Sequence, residues 1–394
     1  MTRVAFFGHD VSDSAIRRRV NAFIADGLCV DGFMMRRSDA AQSEWSNVDL
    51  GRTYDSAFLH RLRQIFKGAH IAAGQADTLR SADVIYARNL DMLACAFLAK
   101  RRLSLKTPVV YECLDVHRLL VRKDMIGVGL RFIERRLLGR TKGLVVSSPA
   151  FLTNHFERHH KDQYRAFVIE NRLPASAEYG PRPNSGVSTQ AERARPLRIG
   201  WVGILRCQRS FKLLQQLADT FGDAVDIRLY GKPARTEIEV FEPEIERRDN
   251  MQYFGPYKAP EDLEALYADL DVVWSGDFME AGYNSVWLLP NRIYEGGYYG
   301  SPPIVVAGTQ SAEWVASKGT GFVIDEPLET TLPDLIGQLI ADRQPIAELR
   351  QQLLMLPECV FVQPRGELGH LLSDICGRAP SRRRDDHEKK RSTD

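Results

Sequence analysis

Two α/β units in tandem, each a parallel sheet with helices on both faces, are what this sequence predicts. Three observations lead there. The 394 residues exceed one ordinary domain and suit two of roughly 150–200 residues each. Short β-rich apolar runs alternate with longer helix-period stretches, the order that builds parallel sheets. The alternation stops once, across 174–196, where Pro, Gly, Ser and Ala crowd together, and then begins afresh.

In the first unit, residues 1–174, strands are expected at 3–8, 29–35, 83–88, 108–112, 143–147 and 166–170. Helices at 14–26, 57–73, 90–102 and 149–159 return apolar residues every three or four positions. Residues 175–196 read as an interdomain linker, with no period of either kind. The second unit, 197–362, repeats the style, with strands at 197–202, 225–230, 251–254, 271–275, 303–306 and 321–324. Its helices are expected at 209–221, 234–247, 260–268, 285–298 and 311–317. A C-terminal helix at 363–377 has the option of crossing back to the first unit. Residues 378–394 hold only Ala379 and Pro380 as apolar side chains, so a disordered charged tail is predicted.

Composition narrows the function classes. At 44% hydrophobic and 26% charged, with a mean hydropathy of −0.28, the chain is that of a soluble globular protein. No uninterrupted apolar run reaches the ~18 residues of a membrane span, and the N-terminus reads as a strand rather than a signal peptide. Six scattered cysteines without a Cys-x-x-Cys pair fit reduced thiols in a cytoplasm and argue against zinc. Charge is uneven: residues 1–180 hold 28 basic and 19 acidic side chains, leaving 53 − 28 = 25 basic and 51 − 19 = 32 acidic for the rest. The basic excess is densest over 118–142, where eight Lys and Arg alternate with apolar residues. Such a helix suits an anionic membrane surface, and equally a solvated helix packed by one face. Nucleic acid is not expected, because no recognition motif accompanies the charge.

Ligands of open α/β sheets bind beyond the C-terminal strand ends, where helix N-termini favour phosphate. Four such ends hold suggestive residues. Gly8, His9 and Asp10 follow the first strand. Asp115 and His117 follow the 108–112 strand, with the Asp placed to orient the His. Gly203, Arg206, Arg209 and Ser210 open the second unit, where two guanidiniums and a helix capped near Ser210 suit a diphosphate; Gly231 closes the next strand. Asn284, Asn291, Arg292 and Glu295 lie in a fourth segment, with Asn291 and Glu295 one helical turn apart and the carboxylate placed for ribose hydroxyls. Asp269-Leu270-Asp271 matches an Asp-x-Asp metal string, but it leads into a strand and is set aside, so no metal site is expected.

The second unit resembles the group 1, family 4-type glycosyltransferases of the two-domain GT-B fold. The likeness rests on Asn250 to Tyr257, Pro260 to Asp269, Glu295-Gly-Gly-Tyr-Tyr-Gly300-Ser-Pro-Pro-Ile-Val, Glu313 and Gly319-Thr-Gly321-Phe-Val. The whole chain looks similar to bacterial succinoglycan-assembly enzymes, on His9-Asp10, Ala87-Arg-Asn-Leu-Asp91, Tyr111 to His117, Ser147-Ser-Pro149 and Arg206 to Ser210. The resemblance implies two Rossmann-like domains facing a cleft, a nucleoside diphosphate sugar of the UDP-hexose kind held by the second, and a lipid-linked saccharide acceptor on the first. It implies a metal-independent hexosyl transfer with no cofactor, at the inner membrane's cytoplasmic side. Glu295 falls at the ribose-binding Glu, and Arg206 and Arg209 at the diphosphate-gripping residues. The family's other glutamate stands eight positions earlier, where this chain has Trp287. A nucleotide-sugar epimerase of the same fold, or a non-catalytic assembly protein, are the alternatives, and the anomeric outcome stays open.

Overall fold

The computed structural model describes residues 1–37, 43–53, 58–161, 163–175, 177, 179–183, 195–280 and 282–377. Most of the expected linker and all of the expected tail lie outside the described residues. Within them, strands β1 (Arg3–Gly8), β2 (Cys29–Arg36), β3 (Asn47–Arg52), β4 (Val84–Arg88), β5 (Val109–Cys113), β6 (Gly143–Val146) and β7 (Ala166–Val168) form one sheet in the order β3-β2-β1-β4-β5-β6-β7. A second sheet holds β9 (Leu197–Leu205), β10 (Val225–Pro233), β11 (Met251–Gly255), β12 (Val272–Trp274), β13 (Pro303–Val306) and β14 (Phe322–Ile324), in the order β11-β10-β9-β12-β13-β14. All pairings are parallel. A two-residue pair of β8 (Leu173–Pro174) with β15 (Val362–Gln363) ties the two crossover segments together.

Both faces of each sheet are buried, as continuous apolar strands require. In β1, Val4 and Phe6 enter one core, which includes Leu368, Leu371, Leu372 and Ile375 of the C-terminal helix Glu367–Cys376. Ala5 and Phe7 enter the core on the opposite face. The last helix therefore packs on the first sheet. In β9, Ile199 and Trp201 face one core and Val202 the other.

Several expected elements need correction. The helix expected at 234–247 is only Glu242–Glu246, because β10 runs on to Pro233 and the following residues turn to bury Ile238 and Phe241. The helix expected at 285–298 is split into Asn284–Trp287 and Asn291–Tyr298, since Pro290 pushes the residue before it out of helical conformation. The helix at 149–159 contains a π turn, Leu152–Phe156, between Pro149–Phe151 and Glu157–His159. Besides the short β8 and β15, the unanticipated elements include β3, whose one fully buried side chain is Leu50, and the helices Ala76–Ser81, Leu328–Ala341 and Gln344–Met355. In Leu328–Ala341 the buried Leu328, Leu332, Ile336 and Leu339 keep the helical period, but Pro333 masks it in sequence.

Candidate functional site

Each sheet reverses its strand order once, between β1 and β4 and between β9 and β12, and crevices open at such points beyond the C-terminal strand ends. In the second sheet, Gly203 of β9 and Gly231 of β10 lie side by side in register, with φ of +121° and +126°. A Cβ on Gly231 would stand 1.7 Å from the Gly203 carbonyl oxygen, so two backbones meet here with no room for a side chain. Arg292 reaches over this bare edge: its Nη1 donates to the Val202 carbonyl at 3.0 Å and lies 3.6 Å from where a Gly203 Cβ would be. Its Nε is buried and has no partner among the described residues. Burial, helped by the like charge of Arg206, lowers the Arg292 pKa, while Asp277 opposes the shift. Arg206 spans the reversal point to Asp277, Nη2 to Oδ2 3.1 Å. Burial alone would raise the Asp277 carboxyl, but Arg206 and the Met279 N–H hold it below its ordinary value. Beside this pair a small recess is lined by Ser275, Asp277, Ser285, Thr309 and Ser311 among others. The helix Gln310–Lys318, capped by the Thr309 hydroxyl, points its N-terminus at the recess. Glycine backbone, two arginines and a helix N-terminus make an anion-accepting crevice.

Five expected donor residues are placed differently. Ser210 is not the helix cap; Cys207 is, its sulfur accepting from Ser210 N at 3.4 Å, and the Ser210 hydroxyl is buried against the Gly276 carbonyl at 3.1 Å. Arg209 turns outward to Glu326 and Glu329, at 2.7 and 3.1 Å, so its guanidinium is already engaged. Glu295 does not open on the crevice. It is 1% exposed, with one oxygen 2.9 Å from Arg18 Nη2 of the first domain and the other accepting from Tyr267 at 3.0 Å. Asn291 accepts from Asn171 at 2.8 Å, and Arg18 donates to the Asn171 carbonyl at 3.2 Å, so this cluster joins the two domains. Asn284 also joins them, accepting from Val116 N at 3.3 Å, while Ser148 donates to the Trp287 carbonyl at 2.5 Å. Trp287 itself is buried in the first domain's core.

The first domain's contribution lies opposite. Gly8 is a packing glycine, since a Cβ would come within 3.1 Å of Ile16 and 3.3 Å of Met34. Asp10 organises its own turn through the Ser12 N–H and hydroxyl, at 3.1 and 2.8 Å. His9 keeps a buried Nδ1 without a partner among the described residues, and its Nε2 is 4.0 Å from Asp13. Asp115 and His117 are exposed beyond β5, and His117 Nδ1 accepts from Leu119 N at 3.2 Å. Partial desolvation of the ring by the surrounding loop, then the positive charge of Arg61, lowers the His117 pKa. Glu280, which sequence reasoning missed, faces Asp115 from the second domain; burial and then Asp115 raise its pKa. No motif flagged Glu280, because only the fold brings its loop to β5. Asp269 and Asp271 sit at the other end of β12, where Asp269 pairs with Arg198 and Arg228, and Asp271 with Arg195 and Arg343 at 2.7 and 3.1 Å.

No family model matches the sequence. The succinoglycan biosynthesis protein ExoL of Rhizobium meliloti (strain 1021) is 35% identical over 349 residues, covering 87% of both chains. The chain belongs to the ExoL family. Among solved structures, Anabaena HepE, crystallised with UDP and glucose, superposes with a TM-score of 0.69 at 17% identity, over 95% of this chain and 100% of HepE. Sucrose-phosphate synthase from Thermosynechococcus elongatus gives 0.70 at 15% identity, over 96% and 100%. The fold of this ExoL-family member is thus GT-B, as its sequence motifs imply, and its family is one of succinoglycan biosynthesis.

Proposed function

We propose that this ExoL-family chain is a glycosyltransferase that moves a hexose from a UDP-sugar to a lipid-linked saccharide, at the cytoplasmic face of the inner membrane. The observation that supports this best is the buried, incompletely paired Arg292 over the Gly203–Gly231 edge, with Arg206 beside it. A diphosphate there would receive fixed guanidinium and backbone donors, which stabilise leaving-group charge in a water-poor crevice without requiring a metal. Across the cleft, His117 and Asp115, with Glu280 beside them, would orient the sugar or the acceptor hydroxyl. HepE, of the same fold, was crystallised with UDP and with UDP-glucose, which favours uridine over other nucleotides.

The acceptor side has its own support. Helix Met125–Leu138 buries only Gly127, Glu134 and Leu138, and leaves Met125, Ile126, Val128, Phe132 and Ile133 exposed. Arg122, Lys123, Arg135, Arg136 and Arg140 are exposed around them. Apolar side chains ringed by arginines match an anionic bilayer surface better than bulk water. Among the described residues no helix is long and apolar enough to cross a membrane.

The test is thermal unfolding with UDP, GDP and ADP, followed by sugar transfer to a lipid extract. UDP at about 100 times its dissociation constant should stabilise by about 2.7 kcal/mol, and Arg206→Gln should reduce that gain. No shift with any nucleotide, and no transfer, would remove the reading. The engagement of Glu295 by Arg18 favours a second reading, a non-catalytic assembly protein; it predicts nucleotide binding without transfer.

A further inference from the structure

Beneath the arginine-rich helix lies a cluster that the proposed transfer does not use. Glu134 Oε2 is 2.7 Å from His155 Nε2 and 2.7 Å from His160 Nε2. The Tyr111 hydroxyl occupies the other carboxylate oxygen at 3.0 Å. Glu134 and His155 are 0% exposed and His160 is 1% exposed. The three ligand-type atoms lie within 4.8 Å of one another. The π turn Leu152–Phe156 is what brings the histidines together: Glu157 N–H bonds to the Leu152 carbonyl, and the extra residue per turn puts positions 155 and 160 on one side. Such turns are costly and are retained mostly where a side-chain arrangement needs them.

We infer that Glu134, His155 and His160 bind one divalent transition-metal ion, zinc being the best match, as a structural site. Two imidazoles and one carboxylate are a zinc donor set, and softer or harder ions prefer thiolates or all-oxygen shells. At bond lengths of about 2.0–2.2 Å the donors of a tetrahedral ion stand about 3.3 Å apart, so these atoms need to part by only about 0.6 Å. The Tyr111 oxygen or a water would complete four-coordination. Charge points the same way. The ion-pair partners of buried Glu134 among the described residues are the two histidines, and a buried carboxylate needs a compensating cation beside it. The competing occupant is a proton on one ring. Burial denies a substrate access, so the ion would pin the helix Met125–Leu138 to the segment carrying His155 and His160.

The test uses the full chain, purified without a polyhistidine tag after growth with zinc. Elemental analysis after dialysis should find about one zinc per chain, and much less in His155→Asn and His160→Asn. Zinc added back to chelator-treated protein should raise its Tm, and cobalt(II) in its place should give the visible bands of a tetrahedral site. If the variants fail to fold, the wild-type metal content and the add-back decide alone. Wild-type protein free of metal, with a Tm that zinc does not move, would establish the proton as occupant and overturn the proposal.

Discussion

Gly231 shows how little freedom the β9–β10 edge has. A methyl group there would meet the Gly203 carbonyl at 1.7 Å, in a backbone region that L-residues avoid. Gly231→Ala should therefore cost at least about 2 kcal/mol, seen as a lower Tm, and should abolish UDP stabilisation. Glu112 is the comparable residue on the first sheet, held by Arg19 at 2.8 Å and Arg88 at 2.7 Å with all three side chains buried. Burial alone would raise its pKa, but the two guanidiniums hold it below the ordinary range. Its contribution is thus fully present above the unfolded value of about 4.3 and is lost as pH falls through the lower folded value. Glu112→Gln should cost about 3–5 kcal/mol near neutrality and flatten the loss of stability between pH 5 and 3, measured by denaturant midpoint. Much of this was legible: glycines and arginines at strand ends mark Gly203, Arg206 and Arg292 without any structure. The role of Glu295 was not, because its partner Arg18 is 277 residues away and no local pattern links them.

Among the elements, the helix Met125–Leu138 departs most from ordinary packing. An amphipathic helix usually hides its apolar face, yet here Met125 is 84% and Phe132 57% exposed. Ile126→Asp and Phe132→Asp should each weaken binding to anionic vesicles by about tenfold or more, since a buried large apolar side chain is worth about 1.5–3 kcal/mol. Neither should lower the Tm, and equal flotation of wild type and variants would refute membrane docking. The sequence showed the mixture of charge and apolar residues, but which stripe faces the sheet depends on Glu134 meeting Tyr111 and two histidines. The break at Pro290 was legible in principle, as a proline inside a helical period. It matters because it frees Asn284–Trp287 to reach the first domain while Asn291–Tyr298 stays in the second.

At the scale of the molecule, the two sheets were recovered strand by strand except for β3, since parallel strands buried on both faces are continuous apolar runs. The packing of the last helix on the first sheet was less visible, because amphipathicity says that a face is buried but not against what. Leu368, Leu371, Leu372 and Ile375 would together forfeit about 6–12 kcal/mol, as an upper bound, if the chain ended before Glu367. That is comparable with the stability of a whole domain. Truncation at residue 366 should therefore leave the first domain unable to unfold cooperatively, as calorimetry would show by loss of a transition.

That return path has a consequence for recombination. With its first sheet covered by the chain's last helix, the molecule is a host interrupted by a guest, not two modules in a row. Exchanging the second domain with a relative's calls for an excision with two junctions, near β8 and β15, where the chain passes between domains side by side. A chimera spliced once would pair one protein's opening sheet with another's closing helix.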